Sequence, residues 1–170
     1  MSKTPYPSLL KRSEFTMTFG GIYECSPWVA KSVYSLASPG VDVRQMALIM
    51  KSVVDAAPRV RKLELVCSHP DLAGRLGLAE LSESSQSEQV GAGLDKCQPD
   101  ELREFHVLNT QYIAKFEFPF IFAVEGYHRT DILKVFRTRV HHTCEEEFEE
   151  AIRQVHRIAR SRLERMADGI

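Results

Sequence analysis

Residues 67–94 read CSHPDLAGRLGLAELSESSQSEQVGAGL, and the alternation of helix and turn along the chain is clearest there. A residue that precedes proline is pushed away from helical angles, so His69, ahead of Pro70, is expected where a helix ends. Its ring then projects from a helix terminus and does not join a periodic apolar face. Ser85 and Glu88 stand in the S-x-x-E spacing of a capping box, which predicts a new helix with Glu88 in its first turn. The stretch therefore reads as helix end, Ser-rich turn, helix start. An imidazole at one helix end and a carboxylate at the start of another can face a common space, which is the layout of a small acid–base site.

Upstream, the first residues (1–12) are Pro-punctuated and predict a loosely attached lead-in. Ser13 is expected to cap a short helix over 14–18 that Gly20-Gly21 stops. Ser26-Pro27 reads as N-cap and N1 proline, which opens a helix at Pro27 that runs through Trp28 to about Leu36. Asp42 caps the next, with Val43, Met46, Ala47, Met50, Val53, Val54 and Ala57 at helical spacing. Pro58 interrupts, and Leu63, Val66 and Cys67 carry a short helix to Ser68-His69.

Downstream, Pro99 falls in the first turn of a helix striped by Leu102, Phe105, Leu108, Tyr112, Ile113 and Phe116. The run FPFIFAV at 118–124 is apolar without helical period and contains Pro119, which predicts a buried extended connector. Thr130 is expected to cap a helix through Ile132, Leu133, Phe136 and Val140. Thr143-x-x-Glu146 is a second capping box, opening the longest helix, whose face is Phe148, Ala151, Ile152, Val155, Ile158, Ala159 and Leu163. The sum is one compact all-α domain of about seven or eight helices.

At 170 residues the chain is long enough to bury a substantial core, and 44% apolar with 26% charged residues is the composition of a soluble globular protein. Lys+Arg at 22 against Asp+Glu at 23 leaves a net charge of −1, so no overall basic field exists to hold nucleic acid or an anionic membrane. No apolar run approaches a membrane span and the N-terminus carries no signal-peptide pattern. The four cysteines (Cys25, Cys67, Cys97, Cys144) form no paired spacing, which fits a reduced compartment, and cytoplasm is the expectation.

From the residues alone, His69 has an ordinary reading as a helix-terminal histidine favoured by the helix dipole. Glu88 has one as a cap on Ser85. Gly91 and Gly93 lack the lysine and preceding strand of a phosphate loop. The cluster His141-His142, Cys144 and Glu145–Glu147 has no HExxH or paired-Cys spacing and reads as a solvated charged face, so no metal is expected. Trp28, Phe118 and Phe120 read as core.

Taken together, HPDLAGR, the Ser-rich segment and EQ-x-GAGL resemble the 2-oxo-4-hydroxy-4-carboxy-5-ureidoimidazoline (OHCU) decarboxylases of urate breakdown. FGGIYE (19–24) with SPWVA (26–30), Leu108-Asn109 with Tyr112, FPFI (118–121) and IARSRL (158–163) resemble that family too, and the similarity runs from about Phe15 to Leu163. The resemblance implies cofactor-independent decarboxylation of the small molecule OHCU to (S)-allantoin. It makes His69 the catalytic histidine, Glu88 its matching carboxylate, and Arg139 the third catalytic residue, expected to bind the anionic or carbonyl end of the substrate, with Arg137 as the other register. Pro70, Gln89, Phe118 and Ile121 are the implied substrate contacts, and a homodimer is carried over as an expectation. Two positions depart from the family pattern: Cys25 stands where many members have histidine, and His142 where asparagine is expected. The competing readings are a non-enzymatic helical adaptor for a partner helix and a hydrolase of the preceding purine-catabolic step. The first gives no reason for His69, Glu88 and Arg139 to coexist, and the second lacks an activated nucleophile or metal spacing.

Cap and catalyst can be separated at Glu88. Glu88→Gln keeps much of the capping hydrogen bond, so stability should change by no more than roughly 1 kcal/mol. A variant that melts near wild type but has lost most of its kcat establishes the catalytic reading; wild-type kcat reduces Glu88 to a cap.

Overall fold

The structure, a computed structural model, describes residues 10–36, 41–72 and 92–168. Among the described residues there are seven α-helices and no strand. They are α1 Arg12–Phe19, α2 Trp28–Tyr34, α3 Val43–Asp55, α4 Arg59–Cys67, α5 Pro99–Phe116, α6 Arg129–Arg139 and α7 Cys144–Asp168, with a 3-10 turn Leu94–Lys96 ahead of α5. This is the all-α architecture expected. The helix expected to open near Glu88 lies outside the described residues. No helix among the described residues is long and apolar enough to cross a membrane.

Helix starts follow local hydrogen-bond chemistry. The Gln45 N–H donates to Asp42 Oδ1 at 2.7 Å and the Asp42 N–H to Gln45 Oε1 at 3.0 Å, so α3 opens on a reciprocal cap. Thr143 and Glu146 do the same for α7, with the Thr143 N–H donating to Glu146 Oε2 at 2.8 Å. Three starts differ from expectation. α1 begins at Arg12, ahead of the expected Ser13 cap, because Glu14 reaches back to accept the Lys11 N–H at 2.9 Å. α2 begins at Trp28 with Pro27 as its cap residue and ends at Tyr34. α6 begins at Arg129, capped by the His128 ring and not by Thr130, whose hydroxyl lies 3.0 Å from His128 Nδ1.

The chain gathers into two compact units. The first comprises Met1–Ser68 with His156–Ile170, so the C-terminal part of α7 belongs to it. Here α1 packs on α2 and α2 on α3, around Phe15, Phe19, Val33, Met46, Met50, Val54 and Leu65, all nearly sealed from solvent. Burying each such side chain contributes about 1.5–3 kcal/mol. Leu63, expected in the α4 face, is 41% exposed while Leu65 fills the core. Trp28 is half-buried, not core, with the Arg61 guanidinium 4.9 Å from its ring centroid.

The second unit is His69–Val155. Its centre is Tyr112 on α5, whose ring meets Phe116, Phe118, Phe120 and Phe136 at centroid distances of 4.6, 6.0, 5.4 and 5.6 Å. Phe118–Val124 is the buried, non-helical connector that its composition predicts, with only Pro119 and Ala123 half-buried. The Phe120 and Phe122 rings lie nearly parallel, 6.3 Å apart, as side chains two residues apart do on one face of an extended chain. Glu117, at φ 61° in the left-handed region, turns the chain from α5 into this segment.

Within the first unit a polar chain runs from buried Tyr23 out to the exposed Asp55. His156 bonds Asp55 Oδ1 through Nε2 at 3.0 Å, and the Tyr23 hydroxyl lies 2.7 Å from Nδ1. Burial pushes the His156 imidazole below its ordinary range; Asp55 opposes that shift, while Lys51 and Lys62 add to it. Burial also pushes the Tyr23 phenol well upward, with the Asp55 charge adding to the effect. A neutral His156 therefore donates from Nε2 to Asp55 and accepts the Tyr23 proton at Nδ1. The folded state binds this proton less readily than the unfolded chain. The contribution to stability is accordingly complete above about pH 6.5 and lost as pH falls below it. Melting curves between pH 7.5 and 5.5 should show this drop, and His156→Gln should flatten it; an unchanged slope in the variant would assign the drop to other groups.

Candidate active site

Among the described residues of the second unit, the most enclosed charge is the Glu147 carboxylate on the first turn of α7, which is 0% exposed. Its Oε1 accepts from Arg139 Nε at 2.9 Å, from Arg139 Nη2 at 2.5 Å and from the Tyr112 hydroxyl. Its Oε2 lies 2.8 Å from His142 Nδ1. Arg139 is itself only 3% exposed; its Nη1 donates to the Ile121 carbonyl at 2.7 Å, and its guanidinium sits 4.6 Å from the Phe120 ring centroid. Burial pushes the Tyr112 phenol far upward, so it stays protonated and donates. The structure thus brings together two of the expected site residues, Arg139 and Ile121. Phe118 lies beside them in the aromatic cluster around Tyr112. Arg137, the other register, is exposed and forks onto Glu104 at 2.5 and 2.7 Å.

His69 stands two residues beyond the last residue of α4, half-buried, with Pro70 following, as its position before proline predicts. Two residues on, the Asp71 carboxylate accepts from Asn109 Nδ2 at 2.9 Å. Asn109 is on α5, three residues before Tyr112, so one face of one helix holds both Asp71 and Glu147. Asn109 Oδ1 is buried and has no hydrogen-bond partner among the described residues. Glu88 and Gln89 lie outside the described residues.

Two features went unread in the sequence. Glu147 is sealed in, whereas its cluster was expected to be a solvated face; Glu145 and Glu146 are indeed exposed. The physical reason is the helical period. Glu147 lies four residues before Ala151 and seven before Gln154, a row that continues the buried side of α7. Gln154, 3% exposed, accepts the Ala123 N–H at 2.9 Å. Among the described residues no three His, Cys, Asp or Glu side chains gather as metal ligands, and the four cysteines are free thiols.

A model of the OHCU decarboxylase family matches residues 8–164. The chain belongs to the OHCU decarboxylase family. It is 37% identical over 155 residues to a 2-oxo-4-hydroxy-4-carboxy-5-ureidoimidazoline decarboxylase of Halalkalicoccus jeotgali, covering 91% of this chain and 86% of that one. A decarboxylase of the same name from Xenopus laevis is 32% identical, covering 88% of this chain and 86% of that one. Among solved structures, an (S)-allantoin synthase superposes with TM-score 0.77 at 32% identity, over 94% of this chain and 52% of that chain. The chain thus spans about half of the synthase. An OHCU decarboxylase solved in the presence of (S)-allantoin shares the fold, with TM-score 0.67 at 20% identity over 83% of this chain and 91% of that chain. The resemblance in HPDLAGR and FPFI is therefore one part of a family match along nearly the whole chain.

Breaking a buried ion pair from one side leaves the other charge stranded, at a cost of about 3–5 kcal/mol. Glu147→Gln should lose stability on that scale in denaturant titration, while the exposed Glu145→Gln stays within about 1 kcal/mol of wild type. Equal midpoints for the two variants would mean that Glu147 carries no such pairing.

Proposed function

We propose that this chain converts OHCU to (S)-allantoin and CO2, with no cofactor taking part. The family match over residues 8–164, with His69 standing just past the end of α4, is the observation that carries this reading. In the substrate, the carboxylate leaves a carbon that bears a hydroxyl and adjoins a ring C=N. As the C–C bond breaks, its electron pair forms a C=C bond to the neighbouring ring carbon, and the C=N pair moves to nitrogen, which takes a proton. The hydroxyl then gives up its proton as the carbonyl forms, and a proton is delivered to one face of the neighbouring carbon. The substrate's own C=N is the electron sink, so the protein has to orient, exclude water and move protons.

His69 is the general acid/base at the hydroxyl or ring, and Glu88 is its hydrogen-bonded partner and substrate anchor. Pro70, Gln89, Phe118 and Ile121 supply the contacts that fix the ring. Arg139 enters through its bond to the Ile121 carbonyl: a guanidinium this buried, already joined to Glu147, is placed to hold the protein's backbone.

His69→Asn tests the reading. The ring is half-buried at a helix end, and helix ends tolerate asparagine, so the variant should fold. Losing a positioned acid–base group typically lowers the rate by on the order of 10²–10⁴. OHCU also decays without stereochemical control, so the measurement is the circular dichroism of the allantoin formed. Wild type should accumulate one enantiomer, and the variant a slow, nearly racemic product. A folded variant that still makes (S)-enriched allantoin at wild-type speed would remove His69 from the mechanism.

A further inference from the structure

A buried extended segment that belongs to no sheet still has N–H and C=O groups to satisfy, and they must find partners outside the backbone ladder. Among the described residues, no backbone–backbone hydrogen bond reaches residues 118–123. Two side chains take that part. Arg139 Nη1 donates to the Ile121 carbonyl at 2.7 Å, and the Ala123 N–H donates to Gln154 Oε1 at 2.9 Å. In an extended chain the polar groups of residues i and i+2 point to one edge, and those of the residue between them to the other. Ile121 and Ala123 therefore present the edge that Arg139 and Gln154 occupy. The N–H and C=O of Phe122 face the opposite edge.

We infer that Arg139 and Gln154 are paired positioning residues, holding one edge of Phe118–Val124 so that the opposite edge meets the substrate in fixed register. The inference rests on the reading that this segment lines the site. Each holder is itself held. Arg139 is locked by Glu147 and by the face of Phe120. Gln154 donates through Nε2 to Glu150 Oε1 at 2.6 Å, and a carboxylate there can only accept. The amide is thereby oriented with its oxygen towards Ala123. Burial works against the Glu150 charge, but the hydrogen bonds from Gln154 and Arg153 and the nearby Arg139 hold its carboxyl below the usual range. Neither holder can move without stranding a buried polar group, so the segment's register is set by α6 and α7 together. Displacing a positioning element by about 1 Å is enough to cost on the order of 10²-fold in rate.

The test removes the Gln154 amide without shortening the side chain. Gln154→Met is expected to lose at least about tenfold in kcat/KM for OHCU, the larger part in kcat, while remaining folded at the assay temperature. Its Ala123 amide should exchange with solvent faster than in wild type. The exchanged pair Glu150→Gln with Gln154→Glu restores an acceptor for Ala123 and a donor between the two positions, and should return kcat/KM to within about threefold of wild type. If Gln154→Met melts below the assay temperature, the exchanged pair alone decides: near-normal constants support the clamp, and a loss beyond tenfold overturns it. Wild-type kinetics in Gln154→Met, with Ala123 protection lost, also overturns it. Absence of turnover in the wild-type protein counts against the proposed function instead; Ala123 exchange then still decides, since unchanged protection in Gln154→Met shows that no clamp exists.

Discussion

Glu147 has no access to solvent, and a carboxylate in that position must find all of its compensating charge and hydrogen bonds inside the protein. It takes them from three directions: Arg139 from the end of α6, Tyr112 from the middle of α5, and His142 from the turn between α6 and α7. Each donor belongs to a different stretch of chain, so satisfying one carboxylate fixes the mutual placement of α5, α6 and the start of α7. The same requirement excludes alternatives. A rotation of α7 that exposed Glu147 would strand Arg139, which has only 3% of its surface open to water. Apolar packing around Tyr112 supplies the bulk of the cohesion, and any packing that left Arg139 or Glu147 unpaired would carry the cost of a stranded buried charge.

The consequence for the site runs through two neighbouring turns of α5. Tyr112 belongs to the Glu147 network and Asn109, one turn earlier, holds Asp71, two residues beyond His69. The segment that carries the histidine and the network that clamps Ile121 are therefore referenced to one rigid element. A helix is a good reference, because its own backbone bonds keep residues three apart at constant spacing whatever the loops around them do. The Leu108-Asn109 and Tyr112 pieces that resemble the decarboxylase family have this physical content in the present chain.

How much of this could be read from the sequence depended on whether the signal was local. The cap at Asp42, the box at Thr143–Glu146, the buried face of α7 and the end of α4 before His69 are local rules, and each stands in the structure as read. Phe118–Val124 is legible as a buried, non-helical connector because it is apolar and lacks helical period. What holds it is not, since Arg139 and Gln154 meet it from 18 and 31 residues away. Glu147 escapes a sequence reading for a related reason. Three consecutive glutamates suggest solvent, and only the helical period relative to Ala151 and Gln154 singles out the third as inward-facing. The cap at His128 is not legible in the sequence, because a histidine ring is an uncommon acceptor there and Thr130 is an ordinary one.

The departure at His142 becomes intelligible once Glu147 is seen as the organising group. The resemblance leads to an asparagine three residues after the arginine, and this chain has a histidine with Nδ1 2.8 Å from Glu147 Oε2. Asparagine and histidine differ in size and titration but share a donor nitrogen at similar reach from the backbone. A carboxylate already receiving three hydrogen bonds at one oxygen needs a donor at the other, and either residue provides it. What the structure calls for at this position is a donor to Glu147 Oε2. The Arg139–Glu147 pair, and with it the hold on Ile121, uses the other carboxylate oxygen and does not run through His142.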